Sequence, residues 1–223
     1  MENFQNNRPG KIKVIIVDDH PVVCQGLAQI VSQDENLHVC AEAEDAKTAF
    51  KAIKKHRPDI AIIDISLKDI SGLELIKWVK GLDFKVAMLV ISVHDESIYA
   101  ERALKAGADG YLMKQESPDK IIQAIRQILK GEIYISDSIA KRLIRHLLKG
   151  HGEKATPIDS LSDRELEVFQ LLGRGFKPKQ IADKLCLSIK TIETYQSNIK
   201  EKLFLNNAFE LAQYAVQWMR QIE

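Results

Sequence analysis

The sequence predicts an α/β domain followed by an all-α domain. Over the first 130 residues, short apolar runs alternate with amphipathic helical segments. The strand pattern then stops, and from Ser162 onward the apolar residues follow helical spacing alone. Apolar strands that alternate with helices are typical of a parallel sheet that is covered on both faces.

Five mostly apolar runs in the first half predict buried strands. They are residues 14–17, 37–40, 60–63, 87–91 and 110–113. Amphipathic segments such as 46–55 and 98–106 separate them. Five strand–helix units in about 120 residues predict a flavodoxin-like, doubly wound, five-stranded parallel domain.

Capping residues mark the starts of helices in the second half. Ser162 and Glu165 have the spacing of a capping box. Pro178 suits the first turn of the next helix, and Ser188 is a suitable N-cap for a third. A short helix, a tight turn and a longer capped helix form the helix-turn-helix arrangement. The region divides into four short helices at breaks near residues 173–175, 188 and 206–207.

The third of these helices has one apolar and one polar face. On a helical wheel, Ile199 and Leu203 each fall within about 20° of Ile192, which predicts the face that packs into the core. A polar helix face usually meets solvent, but this helix follows a short helix and a tight turn, and that position favours contact with DNA. The polar arc comprises Lys190, Glu193, Thr194, Ser197 and Glu201.

We expect four segments along the chain. Residues 1–11 form a polar N-terminal tail, 12–130 the α/β domain, 131–157 a linker with a helix, and 158–223 the all-α domain. Residues 150–157 contain two glycines, a proline and charges, a composition typical of a flexible segment. The two domains are therefore expected to be joined by a flexible connection.

The composition, 45% hydrophobic and 28% charged, is that of an ordinary globular protein. No apolar run approaches the roughly 20 residues that span a bilayer, and the first ten residues lack the apolar stretch of a secretory signal. Three widely spaced cysteines without metal-ligand spacing predict reduced thiols in a cytoplasmic protein. The net charge is only +1, so any DNA binding must depend on local arrangement.

Polar and charged side chains follow four of the predicted strands. The first strand is followed by Asp18 and Asp19, the third by Asp64, the fourth by Ser92 and the fifth, closely, by Lys114. Ligand sites in such sheets lie at the carboxyl ends of the strands, so we expect these groups to converge. A single aspartate after a strand is more often a helix N-cap, but five groups in strand-end register favour a site.

The combination of groups indicates phosphoryl chemistry. Three carboxylates this close repel one another unless a cation intervenes. Mg²⁺ is a hard ion that binds carboxylates and keeps waters for phosphate oxygens. A carboxylate can attack a phosphoryl donor and hold the group as an acyl phosphate. The ammonium and the hydroxyl can then bind the phosphoryl oxygens.

The order of these residues resembles the receiver domain of two-component response regulators. The resemblance implies that Asp64 is the phosphoacceptor. It also implies that Asp18 and Asp19 hold Mg²⁺ together with Asp64, with the backbone carbonyl of Ser66 as a further ligand. The predicted cofactor is therefore Mg²⁺.

The same resemblance assigns the remaining site residues. It implies that Ser92 and Tyr111 form a switch pair and that Lys114 binds the phosphoryl group. Lys68 and Gln115 stand where many receivers have proline. The departure at Gln115 is also common in the subgroup named below, and phosphorylation is expected in spite of both.

Residues 161–215 resemble the LuxR-type helix-turn-helix of the NarL group of response regulators. Lys177-Pro178, Glu193 and Tyr195 depart from the common residues at their positions, which leaves the DNA sequence open. The resemblance rests on Leu161-Ser162-x-Arg164-Glu165-x-Glu167-Val168, Ile181-Ala182, Leu185-x-Leu187-Ser188, Lys190-Thr191-Ile192 and Lys202-Leu203.

The third helix is expected to lie in the major groove. Glu193, Thr194 and Ser197 are then expected to face base edges, with Glu193 accepting a hydrogen bond from the exocyclic amine of cytosine. Other side chains would contact phosphates and set the register. These are Lys179, Lys190, Thr191, Tyr195, Asn198 and Lys202.

These features predict a phosphorylation-dependent DNA-binding regulator of transcription and not an enzyme. The expected partners are a sensor histidine kinase, double-stranded DNA, RNA polymerase and, after phosphorylation, a second copy of the chain; no membrane is expected.

Three alternatives are disfavoured. A magnesium-dependent phosphotransferase of the haloacid-dehalogenase pattern would carry a second aspartate where Ser66 stands. An adaptor that binds only proteins would not need the short polar side chains of the third helix. A regulator that has lost phosphorylation control would not need the complete acidic cluster.

Overall fold

A five-stranded, all-parallel sheet forms the centre of the first unit in the computed structural model, which describes residues 10–68, 70–148 and 157–222. The strands lie in the order second, first, third, fourth, fifth, and the predicted α/β class is confirmed. They are β1 (Ile12–Val17), β2 (Leu37–Ala43), β3 (Ile60–Ile63), β4 (Ala87–Ser92) and β5 (Gly110–Met113).

Helices cover both faces of this sheet. The Asp45 carboxylate accepts the N–H of Thr48 at 2.8 Å, and the Asp95 carboxylate accepts the N–H of Ser97 at 2.7 Å. Such N-caps satisfy amide groups that have no partner within the helix. The helices are α1 (Pro21–Ser32), α2 (Ala46–His56), α3 (Gly72–Lys80), α4 (Glu96–Ala106) and α5 (Pro118–Leu129).

The chain divides into two compact units, residues 1–149 and 150–223. Residues 131–148 of the predicted linker belong to the first unit, where α6 (Asp137–Leu148) packs on α4 and buries Ile139. Most of the predicted tail and of the predicted flexible segment 150–157 lies outside the described residues. The boundaries at residues 11, 130 and 157 therefore stay predictions.

The second unit is helical, as predicted. The Ser162–Glu165 capping box is present: the Ser162 N–H donates to the Glu165 carboxylate at 2.7 Å, and the Ser162 hydroxyl accepts the Glu165 N–H. After a 3-10 turn at Pro157–Ser160, the helices are α7 (Asp163–Gly173), α8 (Pro178–Lys184), α9 (Ile189–Lys202) and α10 (Ala208–Ile222).

The helix-turn-helix of this unit is formed by α8 and α9. The Ser188 hydroxyl caps α9 by accepting the N–H of Thr191 at 3.1 Å. Ile192, Ile199 and Leu203 are all buried, which confirms the predicted core face of α9. Across both units, no described helix is long and apolar enough to cross a membrane.

Candidate functional site

The acidic groups meet where the strand order reverses. The chain runs from β1 outward to β2 and then returns to place β3 on the other side of β1. Backbone bonds hold the strand ends in register, since the Asp18 N–H donates to the Ala43 carbonyl at 3.0 Å and the Asp64 N–H to the Val17 carbonyl at 2.8 Å. A reversal of this kind opens a crevice at the carboxyl ends of the strands, where ligands of such sheets bind.

Lys114 joins the two buried carboxylates. Its Nζ lies 2.6 Å from Asp18 Oδ2 and 3.1 Å from Asp64 Oδ2. Asp18 and Asp64 are 1% and 2% exposed, so water screens this ion pair only weakly. The predicted convergence of strands one, three and five is present.

Asp64 has a perturbed carboxyl group. Burial raises its pKa to about 6, against the lowering effect of the Lys114 ammonium. The pKa of Lys114 is raised, because the attraction of Asp64 and Asp18 outweighs the effect of its own burial. Asp64 Oδ1 is buried and has no hydrogen-bond partner among the described residues. This oxygen is therefore the one available to an incoming group.

Asp18 and Asp19 form a cluster of possible metal ligands together with His20. One ligand atom from each of the three lies within 4.8 Å of the others. His20 Nδ1 is 2.6 Å from Asp19 Oδ1, and the His20 backbone N–H donates to Asp18 Oδ1 at 2.9 Å. The grouped carboxylate oxygens of Asp18 and Asp19 fit a hard divalent cation. Lys114 Nζ contacts both Asp18 and Asp64 and so connects this group to the Asp64 carboxylate. The sequence had not singled out His20, although it directly follows the acidic pair.

Ser92 and Tyr111 are buried, and both interact with Asp64. The Ser92 carbonyl accepts the Lys114 N–H at 2.8 Å, which ties the ends of β4 and β5 together. Tyr111 points inward and donates its hydroxyl to the His94 carbonyl at 2.7 Å. Burial raises the pKa of Tyr111, so this phenol stays protonated as a donor.

His94 is a site residue that sequence analysis missed. Its Nε2 lies 2.8 Å from the Ser66 hydroxyl, and its ring packs against Tyr99 with centroids 4.5 Å apart. Ser66 and His94 each stand two residues after a predicted site residue, Asp64 and Ser92. This spacing is the feature of the sequence that could have pointed to His94. The Ser66–His94 bond joins the two loops that border the acidic cluster.

A second candidate site is the outer face of α9. Lys190, Glu193, Thr194 and Ser197 are exposed, as the wheel predicts. Lys179 at the start of α8 is exposed too, whereas three of the other predicted phosphate contacts are half-buried. The half-buried residues are Thr191, Tyr195 and Asn198.

Lys202 differs from the other predicted phosphate contacts. Its Nζ lies 2.6 Å from the Glu165 carboxylate, which also closes the capping box of α7. Burial raises the pKa of Glu165, but the bonds from Lys202 and Ser162 outweigh it and leave the pKa below its usual value. In this arrangement the Lys202 ammonium joins α9 to α7.

Acid should weaken this connection. A carboxyl whose pKa is lowered by folding stabilises the protein above its unfolded pKa, and this stabilisation is lost as the pH falls through the folded pKa. We expect Glu165→Gln to lower the free energy of unfolding by about 1.5–3 kcal/mol at pH 7, the range for hydrogen bonds to charged groups. The difference should shrink as the pH falls below 4.5, the ordinary pKa of Glu165.

Urea unfolding of the second unit, followed by Trp218 fluorescence in a Trp78→Phe background, measures this effect. Glu201→Gln is the matched control, since Glu201 is exposed on α9, the helix that carries Lys202. An effect of Glu165→Gln that does not change with pH would contradict the assigned ion pair.

The first unit's fold and acidic crevice, joined to a helix-turn-helix, define the DNA-binding response regulators. The family model "Response regulator receiver domain" matches residues 14–126, and "Bacterial regulatory proteins, luxR family" matches residues 159–215. This chain belongs to the response regulators that combine a receiver domain with a LuxR-type DNA-binding domain.

Relatives of known identity align over nearly the whole chain. Response regulator GacA of Pseudomonas aeruginosa is 34% identical over 92% of this chain and 96% of its own length. Oxygen regulatory protein NreC of Staphylococcus epidermidis is 32% identical over 92% of this chain and 97% of its own. RcsB of Salmonella enterica serovar Typhimurium, solved on promoter rprA with phosphomimetic BeF3-, has a TM-score of 0.59 and 28% identity over 93% of this chain and 99% of RcsB.

Proposed function

We propose that this regulator accepts a phosphoryl group on Asp64 from a sensor histidine kinase and then binds promoter DNA as a dimer. The observation that carries the proposal is the buried Asp64 carboxylate, with Lys114 on one oxygen and the other oxygen unpartnered among the described residues. A chain with these partners acts in the cytoplasm, where chromosomal DNA and RNA polymerase are found. RNA polymerase is the partner we propose for the DNA-bound dimer.

The chemistry follows from the arrangement of the carboxylates. Asp64 Oδ1 attacks the phosphorus atom, a new O–P bond forms, and the N–P bond to the donor histidine breaks. The Lys114 ammonium, already 3.1 Å from Asp64 Oδ2, can then turn to a phosphoryl oxygen. Asp18, Asp19, Asp64 and the Ser66 carbonyl would hold Mg²⁺, which supplies the positive charge that offsets repulsion among these oxygens.

We propose that Ser92 and Tyr111 change position in response to the phosphoryl group on Asp64. The added group carries about two negative charges at neutral pH and attracts the Ser92 hydroxyl. Tyr111 already points inward with its hydroxyl on the His94 carbonyl, so a shift of Ser92 would favour this arrangement. The switch therefore couples Asp64 to the loop between β4 and α4.

Ser92→Ala should still accept a phosphoryl group on Asp64, but phosphorylation should no longer promote dimerisation effectively. The variant keeps Asp64 and Lys114 but loses the hydroxyl that would move to bind the phosphoryl oxygens. We expect normal labelling by acetyl phosphate in an intact-mass measurement, and loss of the phosphorylation-dependent dimer in size-exclusion chromatography with light scattering. Ser138→Ala, on the exposed side of α6, is the control. Parent-like dimerisation of Ser92→Ala would rule out this role.

We propose that α9 reads DNA in the major groove. Lys179 and Lys190 are exposed and would contact phosphates, helped by three half-buried polar side chains, Thr191, Tyr195 and Asn198. Glu193, Thr194 and Ser197 would face the base edges. Lys202 is the exception, since its ammonium bonds Glu165, and we propose that it supports α9 instead.

Glu193 is the most informative of these residues. Phosphates repel a carboxylate, so Glu193 is stable near DNA only if it finds a donor, and the cytosine amine is the best one in the major groove. We expect a cytosine preference in two half-sites about one helical turn apart. Glu193→Ala should relax that preference at one position by about 1–3 kcal/mol.

Selection from random DNA by the phosphorylated parent and by Glu193→Ala tests both the function and the contact. Lys190→Ala is the matched control, because it should weaken binding to all DNA sequences alike. It should also reduce the salt dependence of DNA binding by about one phosphate contact. Identical sequence preferences for parent and Glu193→Ala would exclude base reading by Glu193. Failure of the phosphorylated parent to select any sequence would refute the proposed function.

A further inference from the structure

Residues 134–142, here called the strap, lie against β5 and the start of α4. Tyr134 extends the sheet at its edge: its carbonyl accepts the Tyr111 N–H at 2.8 Å, and its N–H donates to the Asp109 carbonyl at 3.0 Å. The approach depends on Gly110, because a Cβ there would lie 2.8 Å from the Tyr134 carbonyl oxygen. The strap therefore bonds directly to the backbone of the switch tyrosine.

The strap also holds the first turn of α4. The Ser136 hydroxyl donates to the Glu96 carboxylate at 2.7 Å, and the Arg142 guanidinium donates to the Ser97 carbonyl. Ile139, between them on α6, is 1% exposed. Two polar bonds and one buried side chain thus fix α6 to the residues that begin α4.

Both attachments bear on a single bond of the switch. The Tyr111 hydroxyl donates to the carbonyl of His94, which lies two residues before Glu96. The strap sets the position of the donor through the β5 backbone and the position of the acceptor through the first turn of α4. If the strap loosens, the acceptor can move away, and a buried phenol without an acceptor is costly. Closure of the strap and the inward position of Tyr111 therefore support each other.

We propose that the strap is a coupling element, closed when Tyr111 is inward, through which phosphorylation of Asp64 tightens α6 on α4. The inference rests on the proposed function of Asp64 and Ser92. Because coupling between sites is reciprocal, contacts that favour the closed strap also favour the phosphorylated state.

Hydrogen exchange of the full-length protein tests the direction of coupling. The probe is beryllofluoride with Mg²⁺, the phosphoryl mimic present with the Salmonella relative. We expect the amides of Tyr134, Ile139 and the rest of α6 to exchange more slowly when the mimic is bound, while those of α2 stay unchanged. Unchanged or faster exchange in the strap of a protein that binds the mimic would overturn the inference.

A double variant tests reciprocity. Ser136→Ala with Arg142→Met removes both polar bonds of the strap, and we expect the beryllofluoride concentration for half-saturation to rise about three- to tenfold, the effect of one or two hydrogen bonds. The matched control is Ser138→Ala with Arg145→Met, which changes the same residue types at exposed positions of the same helix.

The outcomes separate the two proposals. Equal affinity of the double variant and its control, with normal binding by the parent, would refute the strap and leave the function of Asp64 intact. A parent that neither binds the mimic nor accepts a phosphoryl group would refute the proposed function and the strap with it.

Discussion

Asp64→Asn should abolish phosphorylation completely. With acetyl phosphate and Mg²⁺, the parent should gain the mass of one phosphoryl group, whereas the variant should gain none. The side-chain amide lacks the carboxylate oxygen that forms the acyl phosphate, although it keeps nearly the same shape. Labelling of the parent should also require Mg²⁺, because the phosphoryl group enters a cluster of carboxylates.

Intact-mass spectrometry gives a direct measurement. Asp183→Asn, at an exposed position of α8, is the control and should be labelled like the parent. Undiminished labelling of Asp64→Asn would move the phosphoacceptor to another residue. Labelling of the parent that is unchanged by chelation of Mg²⁺ would contradict the proposed metal requirement.

Gly72→Ala should strongly destabilise the first unit. An added Cβ would lie 1.9 Å from the Asp64 carbonyl oxygen and 3.0 Å from Ile63 Cγ2, so the backbone at the end of β3 must move. Overpacking of a core costs about 1–3 kcal/mol, and we expect about 3 kcal/mol here because backbone atoms are involved. The same shift moves Asp64 relative to Lys114, so phosphorylation should slow as well.

Gly26→Ala supplies the matched control. Gly26 lies within α1, where an added Cβ meets nothing within 4 Å. Since alanine favours a helix over glycine, this variant should gain about 0.5–1 kcal/mol. Urea unfolding followed by Trp78 fluorescence, in a Trp218→Phe background, compares the two. Equal effects of the two substitutions would contradict the close approach at Gly72.

Much of the acidic crevice could be predicted from local patterns. Apolar runs mark the strands, and the rules of parallel sheets bring the residues that follow them to one edge. Asp18, Asp64 and Lys114 meet as that argument requires. The helix starts at Ser162 and Ser188 were predictable for a similar reason, because a cap bonds amides only three residues away.

Other contacts were decided by tertiary structure. The Ser66–His94 bond spans 28 residues and the Lys202–Glu165 bond spans 37, and each depends on how two elements approach. A helical wheel shows that Lys202 is polar but not that a carboxylate of α7 lies within its reach. The close passage of Gly72 against Asp64 is a property of the packed backbone alone.

The residues after α5 also show which features local sequence patterns predict and which depend on tertiary packing. Their apolar spacing predicted a helix, and α6 is present at Asp137–Leu148. Where that helix packs depends on Gly110 admitting Tyr134 and on Ser136 and Arg142 reaching α4. The sequence by itself determined which segments are strands and helices and which side chains stand at their ends, because burial periodicity and capping act over a few residues. Only the tertiary structure decided which loops and helices touch, because those contacts depend on the packing of distant segments.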